Sequence, residues 1–524
     1  MKDTIQTIRR SSRLFVSGTL LSRLTGMLRD MSMAYLFGTH RSIAAFMVAF
    51  RLAHLFRRLF GEGALQSAFI PQFEALRHQS EQRALTLFRD LSLLLAIFLI
   101  LLVGGGCAFL GVSLQWGDLH PGHQEILYLT LIMLPSLLFI CLFGLNTAFL
   151  QCEKSYFTPG VAPAIFNGVW ILTIFILRRM PADEAMPWLS LGIVIACLCQ
   201  WLLTLPQTWK SLKNTLFLPW QMLSNDLRQL GKPLALGIMG VAASQINSAM
   251  DTLFARLAEP EGPAFLWYAI RIQQLPLALF GIAVAGAALP PLSRALKAGQ
   301  WEKYHHFLHD ALYRTWIFML PLTAAVFIMG EASVNLLYGR GHFGPEEVLK
   351  TTHCLWAYGI GLIPSALVLV LAPASYAQNN YTLPAYASFA AMLSNVFLNT
   401  LFMIKFHWGA ISIAIATSIS AWLNCYLLGW NLFRSGVSLF SWAFFKQTLP
   451  TMFATGVAFF GTYKMRDFLE ETSFFSNREF SCGSISTQFS FLACQALPFA
   501  ILFFLCYLIC YVSERLFCTH IQQV

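Results

Sequence analysis

The chain is a succession of apolar segments, and their lengths leave few folds open. A bilayer core is crossed by roughly 20 helical residues. On that ruler fourteen segments qualify: 13–37, 42–72, 88–112, 124–151, 159–178, 186–206, 230–256, 264–292, 308–337, 350–377, 382–404, 407–432, 442–464 and 489–513. Charged residues make up only 11% of the chain, against about 25% in a soluble domain. Mean hydropathy is +0.60. The expected fold class is an all-α polytopic membrane protein with about 14 transmembrane helices. The second and eighth segments are longer than a bilayer requires and contain Gly61 and Gly63, or Pro276 and Gly281, so breaks or bends are expected there.

The net charge of +10 would suggest a nucleic-acid partner only if its location were ignored. Basic residues concentrate in alternate short loops, where they set topology. One side receives Lys2, Arg9, Arg10, Arg77, Arg83, Lys154, Lys210, Lys213, Arg228, Lys232, Arg294, Lys297, Lys303, Arg434 and Arg515. Both termini are therefore expected in the cytoplasm, and an even number of spans agrees by keeping them on one side. The first apolar segment carries its own arginines and reads as a true span rather than a signal peptide. The twelve cysteines are scattered through apolar runs and imply no disulfide framework. Gly104–Gly106 reads as a close-packing signal within the third span.

The chain also repeats itself. At one common offset Arg51 meets Arg271, Leu59-Phe60-Gly61 meets Leu279-Phe280-Gly281, and Pro71 meets Pro291. Asp30 meets Asp251 at nearly the same offset. Six spans per repeat give both copies the same orientation, and parallel repeats place a substrate site between the halves. The expected organisation is an N-terminal lobe at 1–220, a C-terminal lobe at 221–436, and two further spans at 437–524 outside the repeat.

Charge inside these spans is the functional signal. Residues 22–73 are apolar enough to enter lipid yet carry Arg23, Arg29, Asp30, Arg51, Arg57, Arg58 and Glu62. A charge at the bilayer centre costs roughly 2.5–3.5 kcal/mol even on a lenient scale. Such groups line a polar cavity, pair with one another, or sit at the interface. An arginine excess suits an anion, because the planar guanidinium donates paired hydrogen bonds to phosphate and stays charged. Arg23, Arg29, Arg57 and Arg271 are the leading candidates, with Asp30 and Arg51 beside them. The competing reading is interfacial snorkelling or ion pairs that fix packing. Arg57 and Arg58 point about 100° apart on an ideal helix, so at most one need face a cavity. Glu62, in Gly-Glu-Gly, either pairs with a neighbouring arginine, closes the cavity, or caps a helix break.

In the second half Asp251, Asn395, Asn399 and Thr417 lie within spans, with the two asparagines one helical turn apart. Their oxygens are the composition of a sodium site. Interhelical hydrogen bonding is the plainer alternative.

The run Ser22-Arg23-x-x-Gly26-x-x-Arg29-Asp30, then Ala49-Phe50-Arg51, Arg57-Arg58-Leu59-Phe60-Gly61-Glu62-Gly63-Ala64, Ala68-Phe69-Ile70-Pro71 and Tyr268-Ala269-x-Arg271 strongly resemble the MurJ (MviN) family. These are lipid II flippases of the multidrug/oligosaccharidyl-lipid/polysaccharide exporter superfamily. The resemblance covers nearly the whole chain. It implies two six-helix lobes around a cationic cavity, and a groove formed by the last two spans for the undecaprenyl tail. It places the family's functional arginines on Arg23, Arg29, Arg57 and Arg271, their acidic partner on Glu62, and a sodium site on Asp251, Asn395, Asn399 and Thr417. Ala44, Ile270 and Gln274 stand where the family usually has acidic residues, which makes the cavity more positive.

The expected function is transport of undecaprenyl-pyrophosphate-linked peptidoglycan precursor across a bacterial inner membrane by alternating access. Cofactors are expected to be none, with sodium or the membrane potential as the energy source. The expected partners are lipid II, membrane lipids and cell-wall synthesis or division proteins, with no nucleic acid. The alternatives are export of another polyprenyl-linked oligosaccharide, a cation-coupled drug antiporter, and a non-transporting cell-wall scaffold. A membrane enzyme cutting the same pyrophosphate would need a nucleophile or carboxylate cluster, and Asp30 and Glu62 are too few.

Overall fold

The computed structural model describes residues 5–61, 63–117, 120–213, 215, 220, 224–378, 380, 382–434, 442–471 and 484–521. Among these, all regular structure is helical. This follows from the solvent: in lipid each backbone N–H and C=O must find its partner within the segment. The chain divides into two compact units, Met1–Arg256 and Leu257–Val524.

The first unit begins with α1 (Ile5–Phe37), which stops at Gly38 in the left-handed conformation, φ 61°. Next come α2 (Arg41–Ala53), the single turn α3 (Arg57–Phe60) and α4 (Ala64–Gln79). These three occupy the long second apolar segment, which is broken at residues 54–56 and again around Gly61 and Gly63. Ser80 caps α5 (Glu81–Trp116), its hydroxyl accepting from Arg83 N–H. Then follow α6 (Pro121–Met133), α7 (Ser136–Cys152), α8 (Phe157–Ile176) and α9 (Ala182–Leu202). The short α10 (Leu205–Leu212) and the long α11 (Asn225–Ala258) complete the series, the last two residues of α11 falling in the second unit. α6 and α7 form one segment bent by 46° at Leu134–Pro135.

The second unit holds α12 (Gly262–Pro276), a π-helical turn at Leu277–Gly281, and α13 (Ile282–Lys297). It continues with α14 (Trp301–Tyr338), α15 (Pro345–Ile360), α16 (Leu362–Ala377), α17 (Thr382–Phe406), α18 (Ala410–Arg434), α19 (Trp442–Glu471) and α20 (Ile485–Ile521). Each of the fourteen expected segments is thus occupied by helix.

Among the described residues, eight helical segments are long and apolar enough to cross a membrane, or nine with the bent α6–α7 pair. The protein is a polytopic membrane protein. Among the other helices, α2, α3, α4, α10, α12 and α13 are too short singly because their segments are broken or brief, while the long α1 and α11 carry the polar and charged residues discussed below. Outward faces are apolar: Leu101 and Phe109 of α5 are about seven-tenths exposed in the isolated chain, as suits side chains that meet lipid tails.

Glycines set two helix crossings in the first unit. A Cβ on Gly18 of α1 would lie 2.8 Å from the Gly160 carbonyl carbon of α8. A Cβ on Gly144 of α7 would collide with the backbone of Gly61, just past α3. The expectation for Gly104–Gly106 is corrected in part. Open space surrounds Gly104 and Gly105, and only Gly106 is close-packed, against Leu134 at the α6–α7 bend.

Candidate functional site

In the first unit Arg51 and Arg57 flank the break after α2, whereas Arg23, Arg29 and Asp30 lie within the continuous helix α1. Arg29 and Asp30 of α1 are both buried, at 7% and 4% exposure. The Arg29 Nε and Nη2 donate to Asp30 Oδ1 at 3.0 and 2.8 Å. Its Nη1 donates to Asn167 Oδ1 on α8 at 3.0 Å. The guanidinium lies over Trp170 of α8, 4.4 Å from the ring centroid, a cation–π arrangement that strengthens away from water. Asn167 then returns its amide to α1, donating to Ser22 O at 3.1 Å and Thr25 Oγ1 at 3.2 Å. Arg29 is therefore held by its acidic neighbour and by α8, while Arg23, on the same helix, is exposed. The six-residue spacing puts these two arginines about 120° apart, and the structure separates them accordingly.

Arg51 ends α2 and is half-buried. Arg57 opens α3 and is half-buried, whereas Arg58 beside it is exposed, in keeping with their divergence on a helix. Glu62 lies outside the described residues.

Two residue groups escape a reading of the sequence. Asn167 and Trp170 are one. A neutral amide and an indole in an apolar run carry no charge signal, and their role depends on the α1–α8 crossing. The other is Arg89–Asp90 in α5, an Arg-Asp doublet like Arg29–Asp30 that pattern alone could have found. Arg89 Nε donates to Asp90 Oδ1 at 2.8 Å, both side chains are buried, and Nη1 reaches Thr215 O beyond α10.

Asp251 lies on α11 in the first unit and accepts from Asn247 Nδ2 at 3.4 Å. The second unit holds Arg271 on α12, its guanidinium 4.5 Å from the Trp267 ring centroid. Tyr268 is fully buried between these two residues, against Tyr338 and Phe343, so α12 presents Arg271 from a fixed aromatic base. Asn395 and Asn399 are wholly buried on α17, which packs against α18. Thr417 of α18 donates its hydroxyl to Ile413 O at 2.8 Å.

The chain has relatives among known proteins. A family model described as Lipid II flippase MurJ matches residues 33–476. The chain belongs to the MurJ family of lipid II flippases. A "Probable lipid II flippase MurJ" of Chlamydia muridarum is 34% identical over 480 residues, covering 90% of this chain and 87% of the relative. Among solved structures, a lipid II flippase MurJ in an inward closed conformation aligns with TM-score 0.75 at 23% identity, covering 96% of this chain and 99% of that one. An inward-facing multidrug resistance MATE family transporter of the MOP superfamily aligns with TM-score 0.65 at 13% identity, covering 82% and 99%. These two likenesses concern the fold. MurJ proteins are transporters rather than enzymes.

Proposed function

We propose that the chain carries lipid II from the cytoplasmic to the outer leaflet of a bacterial inner membrane by alternating access. The observation that carries this reading is family membership, joined to arginines within apolar helices and, for Arg51 and Arg57, at the break between α2 and α3. A pyrophosphate is the ligand for which paired guanidinium donors are best suited. Arg23, Arg51, Arg57 and Arg271 grip the headgroup, Arg29 is steadied by Asp30, and Glu62 is the acidic partner. The lipid tail stays in the bilayer, so the protein removes only the desolvation barrier of the headgroup. Lobes at 1–220 and 221–436, a tail groove from 437–524, and cytoplasmic termini complete the proposal. Cell-wall synthesis or division proteins are proposed partners.

The test is externally accessible lipid II in cells depleted of their own flippase. Wild type is expected to restore it, while Arg57→Ala and Arg271→Ala, at matched membrane levels, lose most of that restoration. Failure of correctly inserted wild type would overturn the lipid II assignment.

Sodium is proposed to reset the lobes through Asp251, Asn395, Asn399 and Thr417. Asp251→Ala is then expected to slow transport several-fold while lipid II binding stays unchanged. Normal transport in that variant would remove the coupling.

A further inference from the structure

Two broken segments meet at one histidine. α2 ends at Ala53 and the chain resumes helix at Arg57. The α6–α7 segment bends at Leu134–Pro135 and resumes at Ser136. His54 sits in the first break and is buried. Its Nδ1 lies 3.0 Å from Phe50 O. A carbonyl only accepts, so Nδ1 carries a proton and donates it to Phe50 O. The hydroxyl of Ser136 lies within hydrogen-bond distance of the ring's other nitrogen, 3.3 Å from Nε2. Cys197 Sγ of α9 lies 3.9 Å from the same nitrogen. One imidazole thus joins α2, α7 and α9.

The ring is also the end of a stack. It lies on Phe50 with centroids 4.2 Å apart, Phe50 lies 5.2 Å from Trp170, and Trp170 lies beneath Arg29. On its other side His54 leads into α3, since Arg57 N–H donates to His54 O at 3.1 Å. The far end of α3 is pressed on α7 through Gly61 and Gly144, and Gln66 Nε2 reaches Gly144 O at 3.1 Å. A helix of four residues has no stability of its own. Its direction is whatever its two anchors impose.

We propose that His54 is a positioning residue for Arg57. By tying the break in the second apolar segment to the break in the fourth, it fixes the direction in which α3 offers the Arg57 guanidinium to a phosphate-bearing headgroup. This rests on the reading of Arg57 as a substrate-binding residue. A guanidinium makes its paired bonds only when its fork is correctly placed, and small misplacements of a positioned group are costly.

The experiment is a double-mutant cycle on the purified full chain, measuring lipid II binding and thermal unfolding together. His54→Ala and Arg57→Ala are each expected to weaken binding about tenfold, the loss of one good charge-assisted contact. The double variant is expected to bind no more weakly than Arg57→Ala alone. The unfolding temperature should fall by the same amount when His54→Ala is added to either background. His54→Gln, which keeps a hydrogen-bonding partner for Ser136, is expected to recover most of the binding. If His54→Ala does not fold, Ser136→Ala enters the same cycle, with a smaller effect that also vanishes without Arg57.

Additive losses in the double variant would overturn the proposal and leave His54 with a purely structural role. So would unchanged binding in His54→Ala beside weakened binding in Arg57→Ala. Normal binding in Arg57→Ala would instead overturn the substrate role of Arg57 itself, and the positioning of it with that role.

Discussion

Replacing Gly144 with alanine is expected to abolish transport and destabilise the protein by about 3 kcal/mol or more, the upper end of what overpacking costs. The cause is local and backbone-made. A Cβ at position 144 would fall on the Gly61 carbonyl. No rotamer change relieves a clash with a peptide group, so α3 and α7 would have to separate. Separation would also break the Gln66 bonds to Gly61 O and Gly144 O, and Arg57 would lose its fixed base. The control is Gly104→Ala, where open space surrounds the site. That change is expected to be neutral or to stabilise by up to about 1 kcal/mol, the helix-propensity difference. Thermal unfolding in detergent and the accessibility of lipid II in the outer leaflet measure both. A Gly144→Ala protein with normal stability and transport would mean that the α3–α7 contact is dispensable.

The second large effect is expected at the Arg29–Asp30 pair. Asp30→Ala removes the carboxylate that accepts two hydrogen bonds from the buried Arg29 guanidinium. Removing one partner of a buried pair typically costs about 3–5 kcal/mol. Replacing both, as Arg29→Met with Asp30→Leu, is expected to recover stability, because two apolar side chains need no compensation. Transport decides between the two roles weighed for this pair. If Arg29 belongs to the substrate path, the double variant is stable and inactive. If the pair only fixes the α1–α8 crossing, the double variant is stable and active.

The fold class was legible because segment length and lack of charge are properties of the chain alone. The arginines were legible for the complementary reason: a charge in an apolar run demands an explanation whatever surrounds it. Their partners were not. Asn167 matters because α8 crosses α1 where Gly18 and Gly160 let the backbones approach, and no local pattern encodes that crossing. His54 and Ser136 are far apart in sequence and look like ordinary polar residues near a proline or an arginine. Gly144 and Gly104 both lie in apolar runs, yet a side chain at one would meet backbone and at the other nothing. Pro135 did signal the bend in the fourth segment, but an apolar run on both sides hid it within a single expected span. The break at Gly361, between α15 and α16, was hidden in the same way. Arg89–Asp90 was the legible omission, since it repeats the doublet that singled out residues 29 and 30.

The second and eighth apolar segments are both interrupted, but by different means. Between Pro276 and Gly281 the chain forms a π-helical turn, whose hydrogen bonds are closed by the backbone itself. Around His54 and Gly61 the interruption is closed by borrowed groups: an imidazole, a serine hydroxyl, a glutamine amide and a glycine on another helix. The two sites therefore differ in how freely their sequences can drift. Residues near the π turn are less tightly tied, because among the described residues distant side chains only pack on it, as Phe318 does on Phe280. Residues from His54 to Gln66 can change only in step with positions on α7 and α9. The first interruption should leave a record of paired substitutions across the lineage, and the second a much fainter one.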